Sequence, residues 1–158
     1  MEPPSRHDIT ITNDTEIRAP RTLIRRAIEA TLDLHNTTGE IDVMLTSDDE
    51  IRELNQKWRG IDEPTDVLSW PGGGYQGAPL GDIAISLDYA EKQAAVRGVS
   101  LSHEVAFLAI HGTLHLLGFE DEDEDERLEM IAEMNRVAKI VGIKPDEEWW
   151  SMLHAEAS

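Results

Sequence analysis

The chain has 158 residues, no cysteine, and a formal net charge of -18 from 32 acidic and 14 basic side chains. The length suits one domain with a sizeable core; the lack of cysteine excludes disulfides and thiolate chemistry; the acidity argues against general attraction to DNA or any other nucleic acid unless a local positive or metal-screened groove exists. No apolar run reaches the roughly 18 residues of a membrane span, and Met1-Glu-Pro-Pro-Ser-Arg-His7-Asp8 lacks a basic-then-apolar leader, so the cytoplasm is the expected compartment.

In chain order, Ile9-Thr-Ile-Thr12 alternates and reads as a strand. Pro20 opens a helix through about His35, with Leu23, Ala27, Ile28, Ala30, Thr31 and Leu34 on its inner side. The arginines at 18, 21, 25 and 26 read as solvated helix residues. Ile41–Thr46 is a second strand. Ser47 caps a helix to about Trp58, with Asp48, Asp49 and Glu50 at its positive end. After a loop from Gly60 to Thr65, Asp66–Trp70 is a short strand ended by Pro71. The stretch Gly72–Pro79 is a flexible loop. Ile83–Ser86 is a strand, and Asp88–Arg97 a helix closed by Gly98. A helix capped by Ser100 or Ser102 runs to Leu117 and is apolar on most sides, which predicts burial. A last helix runs from about Asp123 to Val141, and Trp149 and Trp150 are expected to pack the tail onto the core. The order predicts one α+β domain over residues 1–158: a small mixed sheet of about four strands against about five helices, with a metal site on a buried helix.

That site is read from His111-Gly-Thr-Leu-His115-Leu-Leu-Gly118-Phe-Glu-Asp121. Residues four apart are neighbours on one helix face, so both imidazoles can reach one ion. Gly118 can end the helix in a left-handed turn and return Asp121 as a third ligand. Three protein ligands and an open fourth position describe a catalytic zinc site, where a bound water becomes acidic near neutral pH. Glu120 or Asp123 as third ligand after a loop shift, or a weakened site, are the competing readings. The spacing resembles the metzincin pattern, but the glutamate that would act as general base there is Gly112 here. Gly112 either leaves room for a bulkier substrate or serves tight helix packing. Glu104 is one candidate proton carrier, but its place near the helix start reads more as a plain N-terminal helix charge. His103 is too far along the helix to share the ion.

The same stretch resembles the signature of the YbeY family of metal-dependent endoribonucleases. So do two further blocks, Asn55-Gln-Lys57-Trp58-Arg59-Gly-Ile-Asp62-Glu-Pro-Thr65-Asp66-Val-Leu-Ser69-Trp70-Pro71 and Leu80-Gly81-Asp82-Ile83-Ala-Ile85-Ser86. Their order and spacing fit the family over roughly residues 40–140. The resemblance implies a single-strand endoribonuclease acting in 16S ribosomal RNA 3′-end maturation and ribosome quality control. Its implied partners are the small ribosomal subunit and its assembly factors, and its implied cofactor one Zn2+ per chain. It also implies three histidine ligands. The third is Asp121 here, and a carboxylate in that place shifts preference toward harder ions such as manganese. His111 and His115 are then both ligands and catalytic. Arg59, with Lys57 near it, is the implied substrate contact, since a guanidinium matches phosphate with paired donors; the plainer role for Arg59 is a salt bridge to Asp62 or Asp66. A ribosome-associated factor with a structural metal and weak or no nuclease activity is the alternative. A peptide or small-molecule metallohydrolase is a third reading, weakened by Gly112.

Overall fold

The computed structural model describes residues 7–149, so Trp150 lies outside the described residues. The elements are β1 (Asp8–Asn13), α1 (Arg21–Leu34), β2 (Glu40–Thr46), α2 (Asp48–Arg59), β3 (Val67–Pro71), β4 (Gly81–Ser86), α3 (Leu87–Arg97), α4 (Leu101–Leu116) and α5 (Glu124–Val141). This is the expected α+β arrangement, with four strands and five helices. Most boundaries fall where local chemistry sets them. The side chains of Ser47, Ser86 and Ser100 accept a backbone N–H at the starts of α2, α3 and α4. Asp123 and Glu126 form a reciprocal capping box on α5. The helix expected from about Asp123 therefore starts at Glu124, with Asp123 as its cap.

The sheet order is β1-β2-β4-β3, with β1, β2 and β4 parallel and β3 an antiparallel edge. Ile9, Ile11, Ile41, Val43, Leu45, Ile83 and Ile85 join the main core with α1, α4 and α5. A smaller cluster, centred on Ile51, Leu68 and Ala84, packs α2 on the sheet. The arginines of α1 are less free than their sequence suggests. Arg21 and Arg25 donate to the Ile11 and Ile9 carbonyls and Arg26 to that of Val141, tying α1 to β1 and to the end of α5.

Helix α4 is the centre of the molecule, touching α1, α3, α5, β3 and β4. Every residue from Glu104 to Thr113, and Leu114 after them, is buried. Each large apolar side chain so covered contributes roughly 1.5–3 kcal/mol. Two glycines allow the close approach. A Cβ on Gly112 would meet Ile83 Cγ2 at 3.1 Å and Val67 Cγ2 at 3.4 Å. Its bare face is used against β3 and β4, which decides for helix packing over room for substrate. Gly81 has φ +152°, and a Cβ there would lie 2.2 Å from the Trp70 carbonyl oxygen and 2.7 Å from Leu116 Cδ2. It lets β4 run beneath the end of α4.

Glu104 departs from expectation. It is not a solvated helix-start charge but has 0% exposure. Arg97 of α3 and Trp149 close over it: Arg97 Nε lies 3.3 Å from Oε2, and the Trp149 indole N–H donates to both oxygens at 3.2 and 3.3 Å. Gln93 donates to Oε1 at 3.2 Å. Position within a helix does not reveal which distant segments will roof it. Burial raises the Glu104 carboxyl from 4.5 to about 7; Arg97 and the indole bond oppose the rise, and Asp66 and Asp146 add to it.

Two outcomes are expected. Gly81→Ala should cost about 2 kcal/mol or more through backbone clash and strain, read as a lowered urea midpoint at unchanged slope. Because Glu104 holds its proton to higher pH when folded than unfolded, its contribution to stability is full below pH 4.5 and lost as pH rises toward 7. The stability of the wild type relative to Glu104→Gln should therefore fall across that window by up to about 1.4 kcal/mol per pH unit, then level off. Urea unfolding of both proteins over a pH series checks this.

Candidate metal centre and active site

The last turn of α4 builds the site. Gly118 has φ +98°. The Phe119 N–H bonds the Leu114 carbonyl at 3.0 Å and the Gly118 N–H bonds that of His115 at 3.0 Å. This is the paired pattern of a Schellman turn, and it satisfies carbonyls that the helix end leaves over. The chain reverses there and carries Asp121 back to the imidazoles.

The His111 and His115 Nε2 atoms lie 3.1 Å apart, and Asp121 Oδ2 is 3.6 Å from the first and 3.5 Å from the second. Two donors at 2.0–2.1 Å from one tetrahedral ion sit about 3.3 Å apart. The triangle therefore matches the edges of a zinc coordination shell. His115 Nδ1 lies 2.9 Å from the Phe119 carbonyl oxygen. A carbonyl only accepts, so Nδ1 carries the proton and Nε2 presents its lone pair. Two imidazole nitrogens and a carboxylate oxygen facing one point at these distances repel unless a cation or proton lies among them. Among the described residues this is the group of three or more such side chains that can hold a metal ion. Glu120 lines the same cleft outside that group. Asp123 is engaged as the α5 cap, its Oδ1 accepting the Glu126 N–H at 2.8 Å.

The cleft, of about 310 Å3, is lined by Arg59, Val67, Leu68, Ser69, Pro71, His111, His115, Glu120 and Asp121. Arg59 ends α2, where Gly60 turns the chain with φ +72°. The salt bridge to Asp62 goes elsewhere: Arg52 takes that carboxylate at 2.8 and 3.2 Å. Asp66 is buried and turned to its own loop, accepting from the Val67 N–H at 2.7 Å and the Thr65 hydroxyl at 3.3 Å. Asn55, also buried, donates to the Glu63 carbonyl and fixes the loop after Arg59. Lys57 is not part of this lining. It is exposed on α2, its ammonium 5.4 Å from the Trp58 ring centroid. His103 stacks on Phe107 and bonds the Lys144 carbonyl, away from the ion site as its spacing required. Trp149 is where sequence reading fell short. Expected only to pin the tail, it also lies 5.3 Å from the His111 ring.

Comparison with known proteins gives the family. The family model described as Endoribonuclease YbeY matches residues 7–142. A protein named Endoribonuclease YbeY from Sulfurihydrogenibium sp. is 47% identical over 106 residues, 65% of this chain and 68% of that one. Another of that name, from Caldanaerobacter subterraneus subsp. tengcongensis, is 38% identical over 138 residues, 77% of this chain and 87% of the relative. The solution structure of TM1509 from Thermotoga maritima aligns with a TM-score of 0.61 at 27% identity, covering 84% of this chain and 88% of that one. With the matched region enclosing the whole sheet and all three converging side chains, the chain belongs to the YbeY endoribonuclease family.

Proposed function

We propose that the protein is a zinc-dependent single-strand endoribonuclease acting in 16S ribosomal RNA 3′-end maturation and ribosome quality control. The observation that carries the reading is the convergence of His111, His115 and Asp121 beside Arg59 in one cleft. One Zn2+ per chain is held by His111, His115 and Asp121. Bound there, the ion supplies Lewis acidity and a water nucleophile near neutral pH. The chain's own groups do the rest. His115, fixed by its bond to the Phe119 carbonyl, keeps its lone pair aimed inward. Arg59 binds the scissile phosphate with paired donors and stabilises the negative charge that grows there. Lys57 stands on the same helix as a weaker, outer phosphate contact. In-line attack comes from water or from the neighbouring ribose 2′-hydroxyl, and a cyclic phosphate end identifies the second route.

This arrangement reconciles RNA binding with an overall charge of -18. Phosphate is attracted at one spot, where a cation and a guanidinium face the cleft, and repelled by the general surface. The small ribosomal subunit and its assembly factors are the proposed partners, in the cytoplasm, over the single domain of residues 1–158. No helix of the described residues is long and apolar enough to cross a membrane. A second reading is a ribosome-associated factor with a structural metal and weak cleavage. It is favoured by Asp121, because a carboxylate ligand lowers the charge of the site and makes a bound water less acidic than three imidazoles would.

Purified protein should cut single-stranded RNA after zinc is restored to chelated enzyme. His115→Ala should lose zinc and activity together. Arg59→Ala should keep zinc but lose about 100- to 1,000-fold in kcat/KM, the range for removing one charge-stabilising donor. Cells carrying Arg59→Ala alone should accumulate 16S precursor extended at its 3′ end. Cutting that persists undiminished in His115→Ala would identify a contaminating nuclease, and zinc-loaded protein that never cuts would establish the structural-metal reading.

A further inference from the structure

Trp149 lies beyond residue 142, where the family match ends, yet it is 1% exposed. Its chain segment is tied to α5: Asn135 accepts the Asp146 N–H at 2.7 Å and donates to the Asp146 carbonyl at 3.1 Å, and the Trp149 N–H reaches the same carbonyl at 3.2 Å. The indole is then fixed on several sides. It stacks on Phe107, with ring centroids 5.8 Å apart and planes at 25°. Its N–H bonds the Glu104 carboxyl, and the Arg97 guanidinium sits 5.2 Å from its ring centroid while paired with that carboxyl.

Glu104 and His111 are seven residues apart on α4, two turns or about 10.5 Å along nearly one face. The indole spans that interval, bonded to Glu104 and with its ring 5.3 Å from the His111 ring. Trp149 and the His115 imidazole, the latter at 4.6 Å and 86°, are thus both ring neighbours of His111. A χ1 change that takes Nε2 away from His115 and Asp121 moves the whole ring, and the indole, 5.3 Å away, bounds the ring on one side. We infer that Trp149, oriented by the Glu104–Arg97 pair, is a positioning residue that holds the His111 imidazole in its ligating rotamer. The tail after α5 is then part of the metal centre's support, and the buried Glu104–Arg97 pair, two turns from His111 along α4, has a purpose at the site.

The inference rests on the metal-site reading above, and its test separates the two. Zinc affinity of the full chain is measured by competition with a chromophoric chelator, and ligand geometry by the visible absorption of the Co2+-loaded protein. Trp149→Ala should bind zinc about 10- to 100-fold more weakly, as loss of an outer-shell support does, with an altered cobalt spectrum. Trp149→Phe keeps a ring beside His111 but loses the N–H bond to Glu104; it should fall between, about 5-fold weaker, and it decides the matter if the alanine variant does not fold. Ile28→Ala, in the core on α1, should lose stability yet keep wild-type affinity and spectrum. Wild-type affinity in a folded Trp149→Ala, or in Trp149→Phe where the alanine variant fails to fold, overturns the inference while leaving the metal site intact. An equal loss in Ile28→Ala also overturns it, since the effect would then be general softening. Failure of the wild type to take up either ion sinks the metal reading itself.

Discussion

Three electron-rich atoms are held within 4.8 Å of one another at the end of a buried helix. Without a cation or a proton among them they repel, so their approach depends on a rigid frame. The Schellman turn at Gly118 supplies it on one side, because it fixes the return path of Asp121 and satisfies helix carbonyls in the same bonds. The burial of α4 supplies it on the other. With its residues covered from Glu104 to Leu114, the helix cannot rotate about its axis without opening the core, so the direction of His111 is set by packing on the sheet.

The sheet's antiparallel edge explains why the cleft exists. Among the described residues strand β3 pairs with β4 alone, and its residues Val67, Leu68, Ser69 and Pro71 form one wall beside the histidines. Helix α2 ends next to that wall, and the loop returning from it is fastened by Asn55 and by the Arg52–Asp62 pair. Both fastenings use residues other than Arg59, which lines the cleft. A strongly acidic protein can in this way show an anionic polymer one local attraction, and its remaining surface discourages binding elsewhere.

Much of this is legible in the chain because it is local. Serine and aspartate caps, left-handed glycines and alternating strands each depend on residues within about one turn, and the observed elements begin and end close to where those signals stand. The His111–His115 pair is legible for the same reason, since four residues fix one face. The unbroken apolar character of residues 105–110 likewise foretold that α4 would be covered. Where reading failed, the missing fact was a partner distant in the chain. Glu104 looked like a helix-start charge because Arg97 and Trp149 are not near it in a way that spacing reveals. The arginines of α1 are exposed as expected, but their bonds to carbonyls of β1 and of the end of α5 could not be read from spacing. Gly112 left two readings open until β3 and β4 were seen against it.

The sequence alone therefore determined the order of elements, their caps, the two imidazoles on one face and the turn that brings an acid back. These follow from backbone geometry over a few residues. Only the tertiary structure decided that Asp121 meets both imidazoles, that Arg59 reaches the same cleft, that Glu104 is buried with a counter-ion and that Trp149 touches His111. Those contacts join segments many residues apart, and which segments meet is set by how the core closes, a collective outcome that no local pattern encodes.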